Sequence, residues 1–165
     1  MLKDALAGLP TRPVLYLSLI VLVLGLGYHF FTTYQSCRSH ANLREALRAA
    51  IEAGADGTAP VQLSAITDFD WDRADILVNY KPSGSSSDCP FQWDLSRETR
   101  EQLIAADLLT VIVFLQDGKL VSYLEYRRDW ADFIDVKNPY TPETGVFRAS
   151  PSPNDPYRFT LSPIP

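Results

Sequence analysis

Asp68, Asp70 and Asp72 stand at every second position of one stretch, TDFDWDRADILVNYKP, with Phe69 and Trp71 between them. Closely spaced carboxylates suit a divalent cation, and an aspartate at a strand end suits nucleophilic phosphoryl transfer. Either chemistry asks for more than the triplet. A calcium loop opening at Asp68 requires glycine at its sixth position and glutamate at its twelfth, where this chain has Arg73 and Asn79. Phosphoryl transfer, with Asp68 as nucleophile and Asp70 as acid/base, wants a glycine-rich phosphate cradle that the sequence does not supply. In an extended segment alternate side chains point to opposite faces, so Phe69 and Trp71 are expected to pack while the aspartates stay wet, paired with Arg73. The triplet reads as the entrance to a strand.

Other catalytic constellations are equally thin. The two histidines are His29, inside a long apolar run, and His40, just beyond it. The rest of the chain therefore has no imidazole for a Ser-His or Cys-His pair or for a zinc site. No carboxylate pair is marked over a cleft for glycosidase chemistry. No catalytic residue, metal ligand or cofactor is assigned, and the chain is expected not to be an enzyme. Cys37 and Cys89 are the two cysteines, so no third competes for either, and a disulfide between them would tie the start of a domain to its body. Such a bridge implies an oxidising compartment.

The element that carries Cys37 begins in a different solvent. No charged residue lies between Arg12 and Arg38, and the run from Val14 to Phe31, VLYLSLIVLVLGLGYHFF, is long enough to cross a hydrocarbon layer of about 30 Å at about 1.5 Å per residue. It reads as a transmembrane helix, with Tyr28, Phe30, Phe31 and Tyr34 as an interfacial belt. A cleaved signal peptide is the rival, but bulky YHFFTTYQS follows the run and no small-x-small cleavage pattern does. TYQS before Cys37 does not fit a lipidation signal either. Lys3 and Arg12 on one side face Arg38, Arg44 and Arg48 on the other, so the positive-inside count favours neither orientation.

From Ser36 onward the chain carries 13 Lys and Arg against 19 Asp and Glu. That acidic balance disfavours nucleic acid and anionic lipid surfaces as partners. The expected organisation is a short segment 1–13, a transmembrane helix 14–35, an α+β domain 36–150 and a Pro-rich tail 151–165. Apolar Leu43, Leu47, Ala50 and Ile51 predict an amphipathic helix over 40–53, with Asn42 and Glu45 as a capping box and Gly54 and Gly57 ending it. Strands are expected at 61–66, 74–80 and 108–115, the last central because it is apolar throughout. Asp117-Gly118 predicts a hairpin into KLVSYLEY. Asp94 or Ser96 can cap a second helix that turns Leu95, Leu103 and Ile104 inward. Residues 129–134 are expected to form a helical turn anchored by Trp130 and Phe133. Segments 146–149 and 157–161 should be edge strands or a surface-hugging tail, because of Pro151, Pro153, Pro156, Pro163 and Pro165. SGSSSD at 83–88 reads as a loop. The sum is one antiparallel sheet of about four or five strands packed against one or two helices.

FDWDR at 69–73, NYKP at 79–82, VIVFLQDGKLVSYLEYRRDWADF at 111–133 and TPETGVF at 141–147 together resemble a group of small bacterial envelope-associated proteins. Members tend to show an F-D-W-D-R strand start, a V-F-x-x-G-K-V hairpin and a late T-P-E-D-A-V-F segment. The likeness covers about half the chain; Thr144-Gly145 replaces the Asp-Ala of the last motif, and the anchor is not general to the group. The resemblance implies bacterial origin and an envelope location, and lends no catalytic residues.

Two functional classes follow. One is a bacterial inner-membrane, single-pass protein whose periplasmic domain binds another protein, in its sharpest form an immunity-type inhibitor of an antibacterial toxin acting in the envelope. The other is an accessory or assembly subunit of an envelope complex, held through its apolar helix. Candidate partner contacts are Asp68, Asp70, Asp72, Tyr80, Trp93, Tyr123, Tyr126, Trp130 and Tyr140, aromatics and carboxylates of the kind that anchor interfaces.

Overall fold

The computed structural model describes residues 11–56, 58–78, 89–153 and 155–164. Helix α1 runs Thr11–Ala53 without interruption. No helix start occurs at Asn42, and the predicted capping box is not used. The sequence between Phe30 and Ala53 holds neither proline nor glycine, so nothing breaks the hydrogen-bond ladder on leaving the apolar run. The chain divides into two compact units, Met1–Ser36 and Cys37–Pro165. In the first, every described side chain from Val14 to Thr32 is exposed, and the helix is long and apolar enough to cross a membrane.

The second unit is an α+β domain. Its elements after α1 are β1 (Pro60–Gln62), α2 (Leu63–Ile66), β2 (Arg73–Val78), a 3-10 turn at Pro90–Gln92, α3 (Arg97–Ala105), β3 (Leu109–Gln116), β4 (Lys119–Arg127), β5 (Ala131–Phe133), β6 (Val146–Ser152) and β7 (Asp155–Pro163). They form two sheets rather than the expected one. An antiparallel sheet has the order β2-β3-β4, and a mixed sheet has the order β1-β6-β7-β5, in which β5 runs parallel to β7.

Strand β3 sits in the centre of its sheet and is buried on both faces, which is why its sequence is apolar without alternation. Ile112 and Phe114 join one core with Leu43, Leu47 and Ile51 of α1, Leu124 of β4, and Phe133, Phe147 and Leu161 of the mixed sheet. Leu109 and Val111 face the other way and form a second cluster with Leu103, against which Leu77, Leu95 and Ile104 pack. Ser96 caps α3 by accepting from the Thr99 backbone N–H at 3.2 Å. At the hairpin Asp117 and Gly118 take φ of 51° and 71°, the twist that suits a tight turn between right-twisted strands.

Four local expectations are corrected. Residues 61–66 form only a short end of β1 and then the helical turn α2. Residues 129–134 hold strand β5, not a helical turn, because β7 supplies a parallel partner that a local reading does not see. β6 and β7 occupy the middle of their sheet instead of its edges. Their prolines are tolerated because the outer neighbours are short: β1 pairs with residues 146–148 and β5 with 159–161, leaving Pro151, Pro156 and Pro163 outside those spans. The segment read as a tail from 151 is therefore sheet, with Leu161 fully buried.

The outer edge of β2 is closed by a side chain imitating a strand. Asn138, which precedes a cis Pro139, accepts from the Ile76 N–H at 2.7 Å and donates to the Ile76 carbonyl at 2.8 Å. Tyr140 continues this pairing with Ala74 through backbone bonds of 2.8 and 2.9 Å. Residues 138–140 thus stitch the segment leading into the mixed sheet onto the antiparallel one.

Candidate functional site

The aspartate stretch is a bend leading into β2, which begins at Arg73. Phe69 and Trp71 both pack edge-on against Phe114, at 5.4 and 5.3 Å between centroids, and the Trp71 indole N–H donates to the Thr67 hydroxyl at 3.0 Å. Asp68, Asp70 and Asp72 are exposed, as the alternation predicts. Asp72 serves structure: its carboxylate accepts from the Asp117 backbone N–H at 2.7 Å, at the β3–β4 turn. Arg73 does not pair with this triplet; its guanidinium meets Asp75 at 2.9 Å. Among the described residues no group of three His, Cys, Asp or Glu side chains could hold a metal ion.

Cys37 and Cys89 form a disulfide, with their Cα atoms 5.7 Å apart. It fastens the domain's first helical turn to the chain entering Pro90–Gln92. The other sequence-predicted contacts scatter. Tyr123 is half-buried with its ring 4.3 Å from His40, Tyr140 is buried against Phe147, and Trp93 lies beside Phe91 at 5.6 Å. Tyr80 lies outside the described residues.

Tyr126 and Trp130 do come together, in a shallow cleft of about 170 Å³ lined also by Arg44, Glu45, Arg48 and Arg127. Burial pushes the Tyr126 phenol well above its ordinary pKa, and its buried hydroxyl has no hydrogen-bond partner among the described residues. Arg48 lies over the Trp130 ring, 5.1 Å from the centroid, and pairs with Glu52 at 3.0 Å. Arg127 pairs with Asp129 at 3.0 Å, and Arg44 with the buried Asp94. Trp130 is set by the Tyr126 ring on one side and Phe159 on the other, at 5.8 and 5.3 Å.

Behind the cleft is a buried ion pair. Arg100 of α3 donates through Nε to both Glu125 oxygens, at 2.8 and 2.7 Å, and Arg44 reaches the Glu125 carbonyl at 3.4 Å. Neither Arg44 nor Arg100 was read as a site residue from the sequence. Arg100 did carry a signal: it is three residues before Leu103, on the helix face that turns inward.

A second depression of about 320 Å³ is lined by Lys137, Pro139, Tyr140, Thr144, Pro163 and Ile164. Its one buried ring is committed, since the Tyr140 hydroxyl accepts from the Lys137 backbone N–H at 2.8 Å. The arginine cleft is the better candidate, as it combines tryptophan, tyrosine and arginine, the side chains that dominate protein interfaces. Its geometry offers cation–π and hydrogen-bonding surface and no nucleophile–base pair. No protein-family model, curated protein or solved structure matches this chain.

Proposed function

We propose that this chain is a non-catalytic, membrane-anchored protein-binding module of the bacterial inner membrane, with its α+β domain in the periplasm. In its most specific form it is an immunity-type inhibitor that neutralises an antibacterial toxin acting in the envelope. The observation that supports the binding reading is the Arg48–Trp130 stack in a cleft lined also by Arg44 and Arg127. A partner group entering the cleft would gain stacking area on Trp130 and contact with the arginines around it. The apolar residues 14–31 support the anchor, and the disulfide supports an oxidising compartment.

The test has two arms. Deleting the gene with its neighbours intact should sensitise cells to intoxication by sister cells, and Arg48→Glu with Trp130→Ala should fail to restore protection whereas Asp68→Ala with Asp70→Ala should restore it. Undiminished resistance after deletion would sink the immunity reading.

The exposed apolar side chains of residues 14–31 favour a second reading, an accessory subunit whose helix packs against partner helices. Moving residues 37–165 onto a lipid anchor separates the two. Retained function supports the inhibitor, and lost function supports the helix-mediated subunit.

A further inference from the structure

From Ser36 onward carboxylates outnumber Lys and Arg by 19 to 13, yet the cleft beside Trp130 is lined by three arginines, Arg44, Arg48 and Arg127, and one carboxylate, Glu45. The arginines are not equally committed. Arg44 is spent inside the domain, on Asp94, whose side chain is 3% exposed, and on the Glu125 carbonyl at 3.4 Å. Arg48 and Arg127 are 54% and 52% exposed, and each is paired with a carboxylate close by on its own stretch of chain: Glu52, 53% exposed, and Asp129, 35% exposed. Water and salt screen pairs of this kind, which contribute little to stability and exchange readily.

Trp130 gives this pair of arginines a fixed wall. Its ring is held between Tyr126 at 5.8 Å and Phe159 at 5.3 Å, and the Arg48 guanidinium carbon lies 5.1 Å from its centroid. A guanidinium stacked on an aromatic ring keeps the N–H donors in its own plane for hydrogen bonding. Arg48 gives Glu52 only its Nε donor, at 3.0 Å, so both Nη groups of the fork remain for another acceptor. The planar, two-oxygen group that matches such a fork is a carboxylate; a neutral amide matches it on one side alone, and a cation is repelled.

We propose that the cleft recognises an acidic segment of the partner protein: an Asp or Glu side chain pairs with Arg48 and Arg127 and lays its methylene group on Trp130, taking the place of Glu52 and Asp129. The inference rests on the protein-binding reading above and gives the partner's contact a chemistry. Glu52 and Asp129 are then internal competitors. They hold the two guanidiniums while the cleft is empty, and each weakens the partner's hold by the strength of its own pair.

The experiment uses the full-length, oxidised protein, labelled with fluorotryptophan and held in phosphatidylcholine nanodiscs. Its probes are the peptide acetyl-Gly-Asp-Phe-Glu-Gly-amide and the uncharged acetyl-Gly-Asn-Phe-Gln-Gly-amide, each titrated to millimolar concentration. The fluorine signal of Trp130, identified by its loss in Trp130→Phe, should move saturably with the acidic peptide and not with the uncharged one. Glu52→Gln with Asp129→Asn should tighten the acidic peptide several-fold, a gain that a damaged fold would not produce, and Arg48→Lys should weaken it several-fold. Equal response to both peptides, no response to either, or unchanged affinity in the Glu52→Gln, Asp129→Asn variant overturns the proposal. If the acidic peptide leaves Trp130 unmoved while Arg48→Glu with Trp130→Ala still abolishes protection in cells, the carboxylate falls and the protein-binding reading stands. Protection that survives Arg48→Glu with Trp130→Ala overturns the cleft as the binding site, and with it the proposal that a partner supplies the carboxylate there.

Discussion

Arg100 and Glu125 meet with only 3% and 7% of their side chains exposed. Withdrawing two charges from water costs nearly as much as their attraction returns, so the pair adds little net stability while each half depends on the other. Glu125→Gln should lower unfolding free energy by about 3–5 kcal/mol, read from the urea midpoint. Arg100→Met combined with Glu125→Leu should recover most of that loss; a double variant as unstable as the single one would show that packing, not charge, sets the cost. His40 makes a pH prediction. Burial first, then the Arg44 and Arg100 guanidiniums, hold its imidazole below its usual 6.5. The folded state then binds fewer protons than the unfolded state below pH 6.5, so stability rises with pH there and is lost as pH falls towards the depressed value. His40→Phe should flatten this limb between about pH 7.5 and 5.5, and parallel stability curves for the two proteins would refute the assignment.

Among the elements, β2 has the most to lose from one side chain. Its outer edge is closed at Ile76 by the Asn138 carboxamide, which both accepts and donates. Asn138→Ala leaves a partly buried N–H and carbonyl without those partners, a cost of about 1–3 kcal/mol. Asn138→Asp retains the acceptor and loses the donor, so it should fall between alanine and wild type in thermal unfolding; an alanine variant as stable as wild type would mean that water replaces the carboxamide freely. The hairpin and α3 were legible because their signals are local: Asp117-Gly118 fits one turn geometry, and Ser96 caps the helix that follows it. β5 was not legible, because its three residues become a strand only through pairing with residues 159–161. The prolines misled for a related reason. Their effect depends on whether a neighbouring strand reaches them, which the proline itself does not encode.

At the scale of the whole molecule the disulfide links stability to location. Its ends are 52 residues apart, and opening it returns chain entropy to the unfolded state and lowers the domain's stability by about 4 kcal/mol. In intact cells both cysteines should resist maleimide until a reductant is added, and protease added to spheroplasts should digest the domain while sparing cytoplasmic proteins. Free thiols in cells, or a protected domain, would overturn the periplasmic proposal.

The sequence by itself determined the apolar segment, the two cysteines available for one bridge, the inward faces of α1 and α3, the hairpin and the wet aspartates of DFDWD. These follow from composition, elimination or a period of two to four residues, which neighbouring positions carry together. Only the tertiary structure decided the split into two sheets, the closure of β2 by Asn138, and the meeting of Arg44 with the Glu125 carbonyl across 81 positions of chain. Such contacts exist because distant segments share one core, and no local periodicity records which segments those are.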